Sequence, residues 1–172
     1  HTIGRRQRQM CIRDRDLPFT SKIQILNKYK SHLMFKKNFW IKEDDVKPIN
    51  HKIKNFIYIV NLFRNVKYKW GGKTFKGIDC SGLVQIIYNY NNKFFPRDTV
   101  DQIKFKRGLK SKKKLKKGNI VFWKGHVGIC LNSTKFIHAY GPRKKVLIMP
   151  INQTIKLIEK TAGLKVKKIF SI

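Results

Sequence analysis

The sequence predicts an α+β fold, in which helices come first and pack on an antiparallel sheet. Apolar residues recur at helical spacing in residues 50–66 (NHKIKNFIYIVNLFRNV) and again in residues 81–90 (SGLVQIIYNY). Three short apolar runs with few polar residues between them then follow, NIVFW, HVGICL and KFIHAY, which is typical of a strand meander. Helices followed by a run of strands indicate the α+β class.

Three parts of the chain differ in composition and in the pattern of apolar residues. Residues 1–15 lack the Lys, Asn, Ile and Phe richness of the remainder, and we expect them to be a leader that is disordered or not native to the domain. Residues 16–50 contain short apolar runs between polar turns, which predict small strands and part of a small β module. Residues 51–172 form the predicted main domain. The strand candidates outside the meander are KIQIL, HLMF, FWIK, KVLIMPIN and LKVKKIFSI.

The composition restricts the class of protein. With 172 residues, 41% hydrophobic residues and 12 phenylalanines, the chain can build the core of one ordinary domain with a small module beside it. No apolar stretch reaches the roughly 20 residues that a transmembrane helix needs, and no signal peptide is visible. We expect a folded domain without a transmembrane segment, and a monomer.

The net charge of +31 raises the question of a polyanionic partner. Lysine supplies most of this charge, whereas recognition of specific phosphates or bases usually relies on arginine. A chain rich in Lys, Asn, Ile, Phe and Tyr is also what codons rich in A and T produce. We therefore expect no specific nucleic-acid partner, although the charge is compatible with anionic polymers or membrane surfaces.

The three cysteines match neither a disulfide framework nor a metal site. They include no C-x-x-C pair, and Cys11 lies in the leader. The remaining cysteines and the later histidines are spaced unlike known zinc ligands: Cys80, His126, Cys130 and His138. We expect no metal and no cofactor, which leaves a single reactive thiol as the chemical possibility to pursue.

Cys80 lies in GIDCSGL, at the predicted start of a helix and not inside an apolar stripe. A structural free cysteine usually packs as a small hydrophobic residue. At a helix N-terminus the unpaired amides and the helix dipole lower the pKa of a thiol. Asp79 is the expected N-cap, and Gly82 allows another backbone segment to come close. The sequence therefore predicts a reactive thiolate at Cys80.

A thiolate nucleophile needs a proton acceptor, which is usually a histidine. His126 opens the run HVGICL, and His138 lies in the next run, KFIHAY. The short connection NSTK predicts that these runs are antiparallel neighbours, which would bring the two imidazoles side by side. His126 is then the expected base and His138 the residue that orients it. Parity along the strand makes Cys130 a candidate second thiol near the site.

Four segments together resemble the NlpC/p60 family of bacterial cell-wall cysteine peptidases. They lie in order between Val66 and Tyr140 and read YKWGGKTFKGIDCSGLVQ, FPRDTVDQ, KKGNIVFWKGHVGI and KFIHA. The resemblance implies a papain-like core with a permuted order of elements, in which a cysteine on a helix meets a histidine on an antiparallel sheet. It also implies hydrolysis of peptidoglycan stem peptides, typically at the bond between γ-D-glutamate and a diamino acid.

The same resemblance implies a Cys-His-His triad with Cys80 as nucleophile, His126 as general base and His138 as orienting residue. It adds three substrate contacts. Tyr68 would lie beside the thiol and hold the oxyanion or the substrate. Asp79 and Ser81 would line a site for a free peptide amine. The expected partners are peptidoglycan-derived peptides or muropeptides.

Other segments resemble the family in supporting parts. Arg97 and Gln102 lie in the matching FPRDTVDQ segment and are expected to be structural. Residues 16–50 resemble the end of a bacterial SH3-like barrel, here incomplete, which often precedes an NlpC/p60 catalytic domain such as residues 51–172. Asn119 stands where a Gly-Asp turn is usual in the family, which a turn tolerates.

Two other classes of function stay open at this point. An inactive module could attach to cell-wall polymers through its lysines, and a thiol acyltransferase or amidase could use the same triad on another acyl substrate. An intact set of Cys80, His126 and His138 favours the peptidase over a binding module. The location is also open, because a peptidoglycan substrate favours the cell envelope or periplasm and muropeptide recycling would occur in the cytoplasm.

Overall fold

The computed structural model describes residues 2–3, 17–109 and 115–172. The leader predicted over residues 1–15 lies outside the described residues except for Thr2–Ile3, which form a short strand. Within the described part, no helix combines the length and the hydropathy that crossing a bilayer requires.

Two compact units are present. The smaller one groups residues up to 53 with residues 89–93, and the larger one groups residues 54–88 with residues 94–172. The domain boundaries predicted from the sequence, at 15/16 and 50/51, stay predictions.

Short antiparallel strands build the smaller unit. The central hairpin joins two predicted runs, HLMF and FWIK, through a turn in which Asn38 takes a positive φ of 64°. Leu33, Ile41 and Val46 form its buried core. The strands are β1 (Thr2–Ile3), which pairs with β5 (Val46–Lys47), and β2 (Asn27–Tyr29), β3 (His32–Lys36) and β4 (Phe39–Lys42), which form one sheet.

The strand predicted at KIQIL is wrong. The first strand of the three-stranded sheet begins only at Asn27, and the preceding segment bonds to the sheet through Leu26, whose amide donates to the carbonyl of Met34 over 2.7 Å. Ile23 and Ile25 nevertheless pack on the small core, which explains the alternating pattern. The sheets of the described residues form a small β module, and they do not close into a barrel.

The predicted helices are present, and they precede the main sheet. The two helical patterns correspond to the first two helices, and a short third helix follows them. In chain order the helices are α1 (Phe56–Leu62), α2 (Cys80–Tyr90), α3 (Thr99–Gln102) and α4 (Ile151–Ala162). A hairpin of β6 (Lys73–Thr74) and β7 (Gly77–Ile78) leads directly into α2.

The larger unit is organised around a five-stranded antiparallel sheet in the order β11-β10-β9-β8-β12. All five residues of β8 are buried, and the turn that follows it places Gly125 at φ 74°. The strands are β8 (Asn119–Trp123), β9 (His126–Cys130), β10 (Lys135–Tyr140), β11 (Lys145–Pro150) and β12 (Lys168–Ser171). This arrangement confirms the α+β prediction.

Helix α4 was not predicted from the sequence. KVLIMPIN was expected to be strand throughout, but the strand ends at Pro150 and the helix begins at Ile151. Ile151, Ile155 and Ile158 follow helical spacing and pack on the main core. Gly163 ends the helix with a φ of 65°, a conformation that glycine adopts at low cost.

Candidate active site

The helix that carries Cys80 begins with a side-chain cap. The carbonyl of Asp79 accepts the first helical hydrogen bond from Leu83 at 3.0 Å, and its Oδ1 accepts from the amide of Gly82 at 2.7 Å. This is the N-cap geometry expected from the sequence. Cys80 is the first helical residue and its side chain is buried.

Glycines let the YKWGG loop lie directly against this helix. The amide of Asp79 donates to the carbonyl of Gly72 at 3.1 Å. A Cβ atom added at Gly82 would lie 2.7 Å from that carbonyl oxygen. Any larger residue at position 82 would therefore push the loop away from the start of the helix.

The carboxylate of Asp79 is held by several donors. Arg97 donates to both carboxylate oxygens, at 3.0 and 2.6 Å, and the amide of Gly71 donates to Oδ2 at 2.8 Å. The hydroxyl of Ser81 donates to Oδ1 at 3.1 Å and accepts from Arg97 at 2.7 Å. Together with Gly82 these groups place five donors on one carboxylate, so Asp79 fixes the helix start and the loop.

Arg97 and Gln102 thus hold the backbone and side chains around the start of α2, which agrees with the structural role expected for them. Besides Asp79 and Ser81, the Arg97 guanidinium reaches the carbonyl of Gly72 at 3.2 Å. The buried Gln102 amide donates to the carbonyl of Ser81 at 3.0 Å and to that of Pro96 at 2.9 Å. The resemblance implied a structural role for Arg97 but not its partner, because Arg97 and Asp79 lie 18 positions apart in the sequence.

The two predicted histidines meet across the sheet. His126 Nε2 lies 2.9 Å from His138 Nδ1. Gly128 makes room for this pair, because a Cβ there would lie 2.3 Å from Phe136 Cζ and 2.9 Å from His138 Cβ. Among the described residues His138 Nε2 has no hydrogen-bond partner, and the ring is also stacked on Tyr140, with 4.8 Å between the two ring centroids.

Removal from water keeps both imidazoles neutral. Burial lowers the pKa of His126 to about 4, and burial together with the charge of His126 lowers the pKa of His138 to about 3. At neutral pH one proton therefore lies between the two rings. Nδ1 of His126 is the ring nitrogen that takes no part in this contact.

The expected thiolate at Cys80 is wrong for the resting protein. Burial raises the pKa of the Cys80 thiol to about 11. Backbone hydrogen bonds from Val127, Ser81 and Cys80 itself lower that pKa, and the charge of Asp79 raises it, but burial is the largest effect. The contact with Val127 places the sulfur beside the beginning of β9.

Tyr68 lies beside the turn that follows β10. Its ring is 3.6 Å from the position that a Cβ at Gly141 would occupy. Burial raises the pKa of the Tyr68 phenol, and the nearby charges of Cys80 and Asp79 raise it further. The phenol is therefore protonated at neutral pH and can donate a hydrogen bond next to the thiol.

Cys130 does not belong to this site, which corrects the expectation of a second nearby thiol. It is fully buried in an apolar cluster that includes Val121, Trp123 and Phe136. It lies four positions after His126, which is roughly 13 Å along β9. Its thiol pKa is raised to about 12 by burial.

In the described residues no group of three His, Cys, Asp or Glu side chains is arranged to hold a metal ion.

A cleft of about 470 Å³ opens beside His126 and Tyr68. One side is formed by two turns of the sheet, which carry Lys124 and Arg143. The other side is formed by apolar residues at the end of α4 and after it, namely Leu157, Ile158, Ala162 and Leu164. The sequence did not indicate this cleft, because its far wall depends on the unpredicted helix.

The order of these elements matches a known family. A model of the NlpC/P60 family matches residues 65–161, which is more than half of the chain and includes all six candidate site residues. The chain belongs to the NlpC/P60 family. The resemblance stated from the motifs is thereby confirmed.

Curated relatives in this family are peptidases by name. The chain is 28% identical over 138 residues to the γ-D-glutamyl-L-lysine dipeptidyl-peptidase of Bacillus subtilis, covering 74% of this chain and 46% of that protein. It is 33% identical over 97 residues to the murein DD-endopeptidase MepS/murein LD-carboxypeptidase of Escherichia coli K12, covering 53% and 50%. The chain thus spans about half the length of these relatives.

A solved structure supports the fold. The structure of an NlpC/P60 family protein from Bacillus cereus superimposes with a TM-score of 0.68 at 22% identity, covering 79% of this chain and 50% of the other. At that identity the likeness shows the fold alone. It confirms the papain-like α+β architecture for the chain.

Proposed function

We propose that this chain is a cysteine peptidase that hydrolyses peptidoglycan stem peptides at the γ-D-glutamyl-diamino acid bond, with Cys80, His126 and His138 as its triad. The observation that carries the proposal is the 2.9 Å contact between His126 Nε2 and His138 Nδ1, on the strand whose Val127 amide bonds to the Cys80 sulfur. The bond is proposed from the Bacillus subtilis relative, whose name specifies γ-D-glutamyl-L-lysine.

The proton of the thiol has one acceptor in this arrangement. Because His126 Nε2 is engaged by His138, Nδ1 of His126 takes the proton from Cys80 as the sulfur attacks the scissile carbonyl carbon. For Nδ1 to be free, Nε2 must carry its proton and donate it to His138 Nδ1. His138 thus selects the reactive tautomer and stabilises the imidazolium that forms.

The carbonyl oxygen becomes an oxyanion in the tetrahedral intermediate. Tyr68 is a protonated donor next to the sulfur, and the backbone amide of Cys80 lies at the helix N-terminus. Donors at such a position stabilise developing negative charge. The His126 imidazolium then gives its proton to the leaving amine nitrogen, the C–N bond breaks and a thioester remains on Cys80.

Water completes the cycle. His126, neutral again, accepts a proton from the water that attacks the thioester carbonyl. The C–S bond breaks, the thiol is regenerated by the proton on His126, and the peptide acid leaves. No step needs a metal or a cofactor.

Asp79 and Ser81 are proposed to line the site for the free amine of the peptide, on the helix side of Cys80. The carboxylate of Asp79 already accepts five hydrogen bonds, including two from Arg97. An ammonium group would be attracted to the carboxylate of Asp79 more weakly than to a free carboxylate, because Arg97 already offsets that charge, and it would add to the contacts of Asp79 without replacing Arg97.

Mass spectrometry of defined peptides tests the proposal. The purified chain and its Cys80→Ala variant are incubated with L-Ala-γ-D-Glu-diamino acid peptides, and products are followed over time. We expect cleavage after the γ-D-glutamyl residue by the wild type and loss of at least about a thousandfold in rate for Cys80→Ala. Cys130→Ala is the matched control, because it removes the other described free thiol and should retain turnover.

Two results would contradict the proposal. Equal cleavage by Cys80→Ala would show that this thiol is not the nucleophile. A wild type that is folded by circular dichroism but leaves every peptide intact would favour a wall-binding module if it binds purified peptidoglycan. If it forms a thioester with another acyl donor instead, an acyltransferase or amidase would be favoured.

A further inference from the structure

The cleft beside His126 lies on the leaving-group side of the proposed reaction. In that reaction His126 protonates the departing amine, so the fragment that carries this amine must lie beside His126. The cleft is lined by His126 and Tyr68, whereas among the described residues Asp79 and Ser81 do not line it. The two sides of the scissile bond therefore meet different surfaces.

The charged residues of the described cleft lining are both cations. Lys124 lies in the turn between β8 and β9, and Arg143 lies in the turn between β10 and β11. Alternate turns of an antiparallel meander lie at the same end of the sheet, so both side chains reach the same mouth of the cleft. Both are exposed, and neither has an acidic partner within the part of the chain that the structure describes.

Both turns hold these cations in fixed backbone conformations. Gly125 follows Lys124 with a φ of 74°, and the pair Trp123–His126 closes the hairpin. Arg143 ends a short 3-10 turn that is closed by the amide of Lys144 bonding to the carbonyl of Gly141 at 2.9 Å. The backbone positions of Lys124 and Arg143 relative to His126 are thus set by the sheet.

The opposite wall of the cleft is apolar. Leu157, Ile158 and Leu164 line it from α4 and the segment that follows. Such a wall accommodates the aliphatic side chain of a diamino acid and reduces the local dielectric, which strengthens a nearby ion pair. A group that combines an aliphatic chain with a carboxylate close to the released amine is complementary to both walls.

We infer that Lys124 and Arg143 bind the α-carboxylate of the diamino acid on the leaving side of the substrate. The inference rests on the proposed function and assigns a specificity-determining role to two residues outside the triad. It means that the enzyme prefers peptides in which the residue after the scissile bond has a free carboxylate over peptides that continue or are amidated there.

Steady-state kinetics on two substrates tests this inference. The tripeptide L-Ala-γ-D-Glu-L-Lys is compared with its C-terminal carboxamide, using wild type and the double variant Lys124→Gln/Arg143→Gln. We expect the double variant to raise KM for the acid about tenfold with kcat nearly unchanged. The carboxamide should have the raised KM already with wild type, and the double variant should not raise it further.

A matched control removes the same charge elsewhere. Lys156→Gln/Lys160→Gln also lowers the net charge by two on exposed positions of α4, and neither residue lines the cleft. Its kinetics should follow the wild type on both substrates. An equal rise in KM from this control would reduce the effect to general electrostatic attraction and overturn the inference.

The inference and the proposed function fail in different ways. If wild type cleaves acid and carboxamide equally well and the double variant changes neither, the inference is wrong and the peptidase stands. If wild type cleaves nothing, calorimetric titration of Cys80→Ala with the tripeptide acid decides. Binding that weakens about tenfold in the background of the double variant supports the carboxylate site, and binding that is unchanged, or no binding at all, rejects it.

Discussion

Replacing Arg97 should reveal how strongly the start of α2 is held. The guanidinium donates to both oxygens of Asp79, to the Ser81 hydroxyl and to the Gly72 carbonyl. The side chain of Arg97 is 27% exposed and that of Asp79 is 9% exposed. The pair is therefore mostly, but not fully, removed from water.

The expected cost follows from these contacts. Breaking a buried pair costs about 3–5 kcal/mol, whereas exposed pairs contribute at most about 1 kcal/mol. Since the arginine keeps about a quarter of its exposure and Asp79 retains the donors Gly71, Ser81 and Gly82, we expect Arg97→Met to lower the free energy of unfolding by about 2–3 kcal/mol.

Urea denaturation in a double-mutant cycle measures the pair itself. Arg97→Met, Asp79→Asn and the double variant are compared with wild type, and we expect a coupling free energy of about 2 kcal/mol. Arg64→Met is the matched control, because Arg64 is exposed and should change stability by less than about 0.5 kcal/mol. A coupling indistinguishable from zero would refute the conclusion that Arg97 fixes the helix through Asp79.

Three further changes probe the sheet side of the site. Gly128→Ala should lower the free energy of unfolding by about 1–3 kcal/mol and lower kcat, because the added Cβ would collide with Phe136 and displace His138. Unchanged stability in urea and unchanged kcat would contradict this packing. His126 and His138 have pKa values below the unfolded value, so the folded state binds fewer protons. The stabilisation that depends on neutral histidines should be fully present above about pH 6.5 and be lost as the pH drops towards 4, with a smaller loss in His138→Gln. Equal shifts of the urea midpoint between pH 7 and pH 5 in the wild type and in His138→Gln would argue against neutral burial. Cys130→Ser should lower the free energy of unfolding, measured by urea denaturation, by about 1–3 kcal/mol and leave kcat unchanged. A loss of kcat with unchanged stability would instead indicate that the Cys130 thiol takes part in the reaction.

Local patterns predicted much of this site. Helical spacing in SGLVQIIYNY and the Asp79 cap are short-range features, so the sequence alone indicated where α2 begins. The contact between His126 and His138 followed from two strand candidates and a short connection, since antiparallel neighbours place such residues together. These predictions needed only periodicity and turn length.

Features that depend on tertiary packing were not predicted. The pKa of Cys80 is set by how much water the folded protein removes, which no local motif reports, and the expected lowering by the helix N-terminus was outweighed. The partner of Arg97 and the apolar wall of the cleft likewise arise from segments far apart in the chain. Helix α4 was missed because its first residue directly follows a strand, so that one apolar run crosses two kinds of structure.

If the proposed function holds, the electrostatics of the free protein make the reactivity of Cys80 depend on bound substrate. The same removal of water raises the pKa of Cys80 and lowers that of His126, so both changes oppose transfer of the proton in the free protein. In the proposed reaction, transfer becomes favourable only when the charge on sulfur passes to the carbonyl oxygen of the substrate, next to the phenol of Tyr68. Under that proposal a buried neutral pair couples proton transfer to attack, and it leaves little thiolate exposed to oxidants in the free protein.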